Sequence, residues 1–313
     1  MSRLYEALSR PKVEPSDSGT VQSVTACPNV VLPVWTHFEV VPPEASRTVE
    51  VLGEVAPRPA QIKEPTAAEE TRSVVVQASP ESRLVALVDP GGLGAEKFRA
   101  LVTRLEHIRK QRVLRSFQVT SSATNEGKTI VAANLAATLA NYSGARTLLI
   151  EGDLHRPTLA SLFGLGELQG LTDWWVSRNE EVGHFLHQFM GMPLWFAPAG
   201  KAYDRPSHIL QSTRLAEAFD QLSAQCEWVV VDSTPMLPIV DANLWSRLVD
   251  GTLLVVRPNV APVKALKRGL QALDQPKLIG VVVNDASGFD LVNYETQYYG
   301  SPKRGNNRLE SAK

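Results

Sequence analysis

Six short runs rich in Val, Ile and Leu recur through the second two thirds of the chain: FQVTS (117–121), TLLIEG (147–152), LWFAPA (194–199), WVVVD (228–232), TLLVVR (252–257) and LIGVVVN (278–284). Helical patterns such as KTIVAANLAATLANY and STRLAEAFDQLSAQ fill the gaps between them. A strand that is apolar on both faces must be covered on both faces. Alternation with helices therefore predicts an α/β fold, a mostly parallel sheet with helices on either side. The folded domain is expected over residues 84–290, and no internal repeat is visible.

The N-terminal part reads differently. Eleven of the 21 prolines fall in the first 90 residues, separated by polar stretches such as EPSDSG and KEPTAAEETRS. Such a segment buries too little apolar surface to offset the entropy of ordering it. Residues 13–83 are expected to be a flexible, disordered linker. Residues 1–12 are expected to form a short helix, with Leu4, Tyr5 and Leu8 on one face; a frayed helix in solution is the alternative. Residues 291–313 are expected to form a flexible tail.

With 32 basic and 33 acidic side chains the net charge is -1, which argues against a nucleic-acid binder driven by counterion release, though not against a local basic patch. Cys27 and Cys226 cannot supply a disulfide framework or a zinc spacing, as suits a reducing cytosol. No apolar run approaches the roughly 18–20 residues of a membrane span, and MSRLYEALSRPK lacks the apolar stretch of a secretory signal. The expectation is a soluble cytoplasmic chain, recruited to a membrane, if at all, by a partner.

The strongest chemical signal is F-Q-V-T-S-S-A-T-N-E-G-K-T-I-V-A-A-N-L-A. A strand ends at Ser121, and Gly127-Lys128-Thr129 opens a long helix. Backbone N–H groups of Ala123, Thr124, Asn125, Glu126, Gly127, Lys128, Thr129 and Ile130 could converge on phosphates there, aided by the positive end of the helix. Lys128 would reach the β/γ oxygens and Thr129 would place its hydroxyl on Mg2+. The pattern departs from G-x-x-x-x-G-K-S/T in having Ser122 for the first glycine, and a plain strand-to-helix turn is the alternative.

Two other strands end in acids: TLLIEGDLHRP carries Glu151 and Asp153, and WVVVDSTP carries Asp232. At the carboxyl ends of a parallel sheet such groups can hold Mg2+ or take a proton from an attacking hydroxyl. Any one of them could equally be a helix cap.

Together, VTSSATNEGKT, LLIEGDLHRP and VVVDSTP resemble the Walker A, A′ and B motifs of the bacterial tyrosine kinases, the cytoplasmic autokinases of capsule and exopolysaccharide synthesis. The likeness covers residues 84–300 and includes GAEKFRALVTRL, VDGTLLVVRP and GVVVN. It implies a P-loop NTPase-like fold of the Min and Par superfamily, ATP and Mg2+ as cofactors, and transfer of the γ-phosphoryl group to tyrosines of the chain's own tail. By this resemblance Lys128, Glu151, Asp153 and Asp232 are the catalytic set, and Thr129, Glu151, Asp153 and Asp232 serve the metal. Glu151 stands at the position implicated in activating the tyrosine hydroxyl. Asn284 lies where superfamily members contact adenine, although an Asn after a strand is also a turn residue. Tyr294, Tyr298 and Tyr299 are the tail acceptors. The resemblance also implies a transmembrane polysaccharide co-polymerase as partner, and a ring oligomer through the helix bearing Glu96 and Arg99.

The departures are specific. Asn125 replaces a loop glycine, and Asn is the residue that best tolerates positive φ after Gly. Glu151 replaces Asp and is one methylene longer. His155 stands where arginine is frequent, and Val102 interrupts the E-x-x-R-x-x-R oligomerisation motif. Two rivals follow. One is a partition-type ATPase, against which Ala123 stands at the position of the signature lysine. The other is a non-catalytic nucleotide-binding regulator of the export machinery.

Overall fold

The computed structural model describes residues 36–37, 72–237, 240–258, 260–272 and 277–285. The strands are β1 (Thr36–His37), β2 (Arg72–Val74), β3 (Ser116–Ser121), β4 (Thr147–Glu151), β5 (His187–Phe189), β6 (Leu194–Ala197), β7 (Trp228–Asp232), β8 (Gly251–Val256) and β9 (Leu278–Asn284). The α-helices are α1 (Val85–Val88), α2 (Leu93–Gln111), α3 (Lys128–Ser143), α4 (Leu159–Leu162), α5 (Leu171–Ser177), α6 (Pro206–Leu210), α7 (Thr213–Gln225), α8 (Asp241–Leu248) and α9 (Val263–Ala272). All six apolar runs read from the sequence are strands.

They assemble in the order β1-β9-β8-β3-β7-β4-β6-β5-β2. From β9 to β6 every neighbouring pair is parallel. The pairs β5–β6 and β1–β9 are antiparallel. Strand β7 lies between β3 and β4, with Val119 opposite Asp232 on one side and Glu151 opposite Asp232 on the other. Three acid- or loop-bearing strand ends therefore meet at one edge, where an open α/β sheet binds ligands.

Cover on both faces follows from the helix patterns. Helix α2 turns Phe98, Leu101, Val102 and Leu105, the i, i+3, i+4, i+7 spacing of one helical face, into the main core, where it packs on α3. Helix α3 is apolar all round because it is wedged between α2 and the sheet, and its Ala132, Ala133, Ala136 and Ala140 permit close approach. It stops at Gly144, whose φ of 64° is the left-handed conformation that closes helices. The opposite face is covered by Leu215, Phe219 and Leu222 of α7 with Trp174, Ile209 and Trp245. Helix α7 starts at Ser212, whose Oγ accepts the Leu215 N–H at 3.1 Å. A smaller cluster joins Leu266 and Leu270 of α9 to Leu254, Val256 and Val281.

The linker expected over 13–83 needs correction at its end. Residues 72–74 add to the sheet as β2, parallel to β5, and the Gln77 N–H donates to the Phe163 carbonyl at 3.0 Å. Val74, Val76 and Ala78 pack on the main core. The apolar run S-V-V-V-Q-A is too short to lift the average of its Pro-rich surroundings, yet long enough to form an edge strand. Thr36–His37, also inside the expected linker, pair with β9. The proposed helix over 1–12 and the tail over 291–313 lie outside the described residues. Among the described residues no helix is long and apolar enough to cross a membrane.

One buried side chain ties the two halves of the edge together. Trp245 is fully buried on α8 and its Nε1 donates to the Gly152 carbonyl just past β4, at 3.0 Å. Gly152 must be glycine, because a Cβ there would fall 2.7 Å from both Trp245 Nε1 and Val231 Cγ1. Replacing Trp245 by Phe strands the Gly152 carbonyl and leaves a gap. The expected cost is about 2 kcal/mol in urea denaturation; a change within measurement error would remove this contact from the framework of the edge.

Candidate functional site

Residues 122–127 link β3 to α3, and their shape is set from inside. Asn125 has φ 63° and Gly127 φ 91°. Asn thus takes the left-handed conformation for which the sequence singled it out. At Gly127 a Cβ would collide with Asn284 Nδ2. The buried Glu126 carboxylate accepts from Ser122 Oγ at 2.8 and 3.0 Å, from Ala123 N–H at 2.7 Å and from Arg257 N–H at 3.2 Å. Ser122, in place of the first loop glycine, is therefore a donor to the loop's own carboxylate. Ser121 Oγ adds a bond to the Ala123 carbonyl at 2.6 Å. Burial pushes the Glu126 carboxyl up, against the pull of these donors.

Lys128 stands at the first turn of α3 and points at both acidic strand ends. Its Nζ lies 3.2 Å from Asp153 Oδ2, 3.5 Å from Asp232 Oδ1 and 3.1 Å from Thr129 Oγ1. Burial pulls the Lys128 ammonium down, but Asp232 and Asp153 together outweigh it and hold it above the usual lysine range. Asp232 is fully buried, and that burial pushes its carboxyl up to about 6 despite Lys128 and Thr129.

The loop after β4 is pinned at several points. Gly152 N–H donates to the Asp232 carbonyl at 2.8 Å. Asp153 Oδ1 accepts the Arg156 N–H at 3.1 Å, leaving Oδ2 on Lys128. His155 Nε2 lies 2.9 Å from Oδ2 of Asp241, a wholly buried residue whose Oδ1 accepts from Ser207 Oγ at 2.8 Å. Glu151 behaves differently: its Oε1 accepts the Leu159 N–H at 2.6 Å and its Oε2 the Ala199 N–H at 3.0 Å. Burial pushes this carboxyl up as well.

A cavity of about 1170 Å³ opens over the loop. Thr124, Asn125, Gly127, Lys128, Thr129 and Ile130 line it, with Asp153 and Asn284. Ala123, Glu126 and Glu151 do not: the Ala123 N–H is taken by Glu126, and the two glutamates turn inward. Asp232 lies beneath Lys128. Asn284 Nδ2 donates to the Glu126 carbonyl at 2.8 Å, which makes it a brace for the loop. Tyr294, Tyr298 and Tyr299 fall outside the described residues. Sequence reading missed Arg257 and Asp285, which form an ion pair on the cavity wall. A basic residue closing the VVR strand and an acid directly after Asn284 were the available signals. On α2, Arg99 pairs with Glu96 at 2.5 Å and donates to the Pro90 carbonyl at 2.7 Å.

Among the described residues no three His, Cys, Asp or Glu side chains form a metal cage. Asp153, Asp232 and the Thr129 hydroxyl around one ammonium are nevertheless a donor set that suits Mg2+, which is typically held by one or two carboxylates, waters and substrate phosphates.

The chain resembles known tyrosine-protein kinases in sequence and in fold. The chain is 28% identical over 224 residues to the tyrosine-protein kinase YwqD of Bacillus subtilis (strain 168), covering 71% of this chain and 92% of that one. It is 29% identical over 211 residues to the succinoglycan biosynthesis transport protein ExoP of Rhizobium meliloti (strain 1021), covering 66% of this chain but 26% of that one. The solved kinase domain of the Escherichia coli tyrosine kinase ETK superposes with a TM-score of 0.59 at 26% identity, over 64% of this chain and 79% of that one. No family model matches.

The Asp232 value has a testable sign. Its folded value lies above the ordinary 3.8, so its stabilising contribution is whole below about pH 4 and is lost as pH rises through about 6. Asp232→Asn cannot ionise. In Mg2+-free buffer its stability relative to the parent should rise by roughly 3 kcal/mol between pH 4 and 7. Urea denaturation across that range checks it, and a pH-independent difference would contradict the assignment.

Proposed function

We propose that this chain, which belongs to the bacterial tyrosine kinases, is an ATP-dependent autokinase that phosphorylates Tyr294, Tyr298 and Tyr299 of its own tail and thereby regulates exopolysaccharide or capsule synthesis and export. The observation that carries the reading is Lys128 reaching Asp153 and Asp232 at once, at the mouth of a phosphate loop.

The backbone N–H groups of the loop, together with the N-terminus of α3, would receive the β- and γ-phosphates of ATP. Lys128 would move from the carboxylates onto the phosphate oxygens and follow the charge that grows there during transfer. Thr129, Asp153 and Asp232 would hold Mg2+, which neutralises phosphate charge when bound. Asp153, whose carboxylate faces the cavity, would accept the phenolic proton. The phenol oxygen forms a bond to the γ-phosphorus as the bond to the β-phosphate oxygen breaks, leaving ADP.

Nucleotide sites commonly fall within about 300–1,000 Å³. A cavity of about 1170 Å³ is large enough for a nucleotide. Its outer wall contains Val85, Leu93 and Phe98, an apolar surface suited to an aromatic ring. A transmembrane polysaccharide co-polymerase as partner, recruitment to the inner membrane face and ring assembly through the Glu96/Arg99 helix belong to the same proposal. The intrahelical Glu96–Arg99 pair would have to open for that assembly.

Incubation of the full chain with Mg·ATP, followed by mass spectrometry, tests the reading. Phosphate is expected on one or more of the three tail tyrosines, and Lys128→Met should lower it at least 100-fold. Hydrolysis without tyrosine label would favour a partition-type ATPase, and neither activity would favour a regulator.

A further inference from the structure

By the resemblance Glu151 stands at a catalytic position, yet its carboxylate is turned away from the cavity. The residue is 2% exposed, is no part of the cavity wall, and has one oxygen on Leu159 N–H and the other on Ala199 N–H. Leu159 opens α4, at the far end of the loop that carries Asp153, His155 and Arg156. Ala199 follows β6, and its carbonyl accepts from the N–H and hydroxyl of Thr172 on α5. One carboxylate thus joins two loops that no backbone ladder connects.

We propose that Glu151 is a positioning residue: it clamps the β4–α4 loop to the β6–α6 loop, and so fixes Asp153 against Lys128, without itself binding metal or taking the acceptor proton. The extra methylene relative to aspartate is what lets both oxygens reach backbone amides. A carboxylate accepting two N–H bonds is held in orientation as well as in charge. Asp153 is two residues along from this anchor, and its remaining freedom is removed by Arg156 N–H. Outer groups that orient reacting ones are worth about 10- to 100-fold in activity when lost.

The kinetic arm of the test rests on the kinase reading; the exchange arm does not. Amide hydrogen exchange on the full chain should find Leu159 and Ala199 slow in the parent protein. In Glu151→Asp, which is too short to span both loops, at least one of them should exchange tenfold faster or more. Kinetics at 15 °C, with each variant verified as folded, should show kcat reduced about tenfold in Glu151→Asp. In Glu151→Gln the Mg2+ half-saturation should stay within twofold of the parent's.

Four results would overturn the proposal. Parental exchange could be fast at either amide, which needs no variant to fold. Glu151→Asp could match the parent in kcat, as a ligand or base restored to aspartate would. Glu151→Gln could shift Mg2+ half-saturation tenfold or more. A fall in melting temperature with unchanged kcat would mark a purely structural clamp and also overturn it. If the parent forms no phosphotyrosine, the kinase reading fails and the exchange arm still decides the role of Glu151.

Discussion

The site is organised around one charge problem. Asp153 and Asp232 project from the ends of neighbouring strands β4 and β7 into a region that water barely reaches. Without a cation, the burial of Asp232 and the nearby Asp153 and Glu151 carboxylates would favour the protonated form of Asp232. Lys128 supplies that cation from the first turn of α3. The sheet order makes the arrangement possible: with β7 between β3 and β4, the helix following β3 starts within reach of both acids. In the proposed function Asp153 and Asp232 would hold Mg2+ and Lys128 would turn to the phosphates, so that one lysine would serve first as counter-ion and then as phosphate ligand.

The departures of the phosphate loop from its usual pattern compensate one another. A loop with fewer glycines has less access to left-handed backbone, and the side chains must then stabilise what glycine would have allowed. Asn125 takes the positive φ, and Glu126 holds the turn from within through Ser122 and the Ala123 amide. The same carboxylate accepts the Arg257 amide at the end of β8, so loop shape is coupled to the strand that carries the Arg257–Asp285 pair. A residue that reads as one more amide in a phosphate cradle is the loop's internal brace.

Much of this was legible in the chain. Strongly apolar runs identified six strands because burial on both sheet faces leaves no room for polar alternation. That Lys128, Thr129, Asp153 and Asp232 come together was readable because each sits at a strand end or at the helix start that follows one. Side-chain direction was not legible. Whether Glu151 faces the cavity or the backbone of Leu159 and Ala199 depends on contacts 8 and 48 residues away, which no local pattern encodes. The Arg257–Asp285 pair depends likewise on two strand ends becoming neighbours. The edge strand β2 and its neighbour β5 have three residues each, too few for periodicity to separate from loop.

The segment before the first core strand is part of the site. Composition assigned residues up to 83 to a linker, yet Pro80 and Arg83 line the cavity with Val85, Leu93 and Phe98. What holds this wall is Asn134, two turns into α3. Its Oδ1 accepts the Ala86 N–H at 2.9 Å, and its Nδ2 donates to the Arg83 carbonyl at 3.0 Å and to Ile130 at 2.9 Å. Asn134 is almost fully buried, so losing either partner would leave an amide unsatisfied in the core. The helix that begins with Lys128 thus also carries the anchor of the opposite wall. A displacement of α3 would move loop and wall together, and the width of the cavity is therefore set by one rigid element.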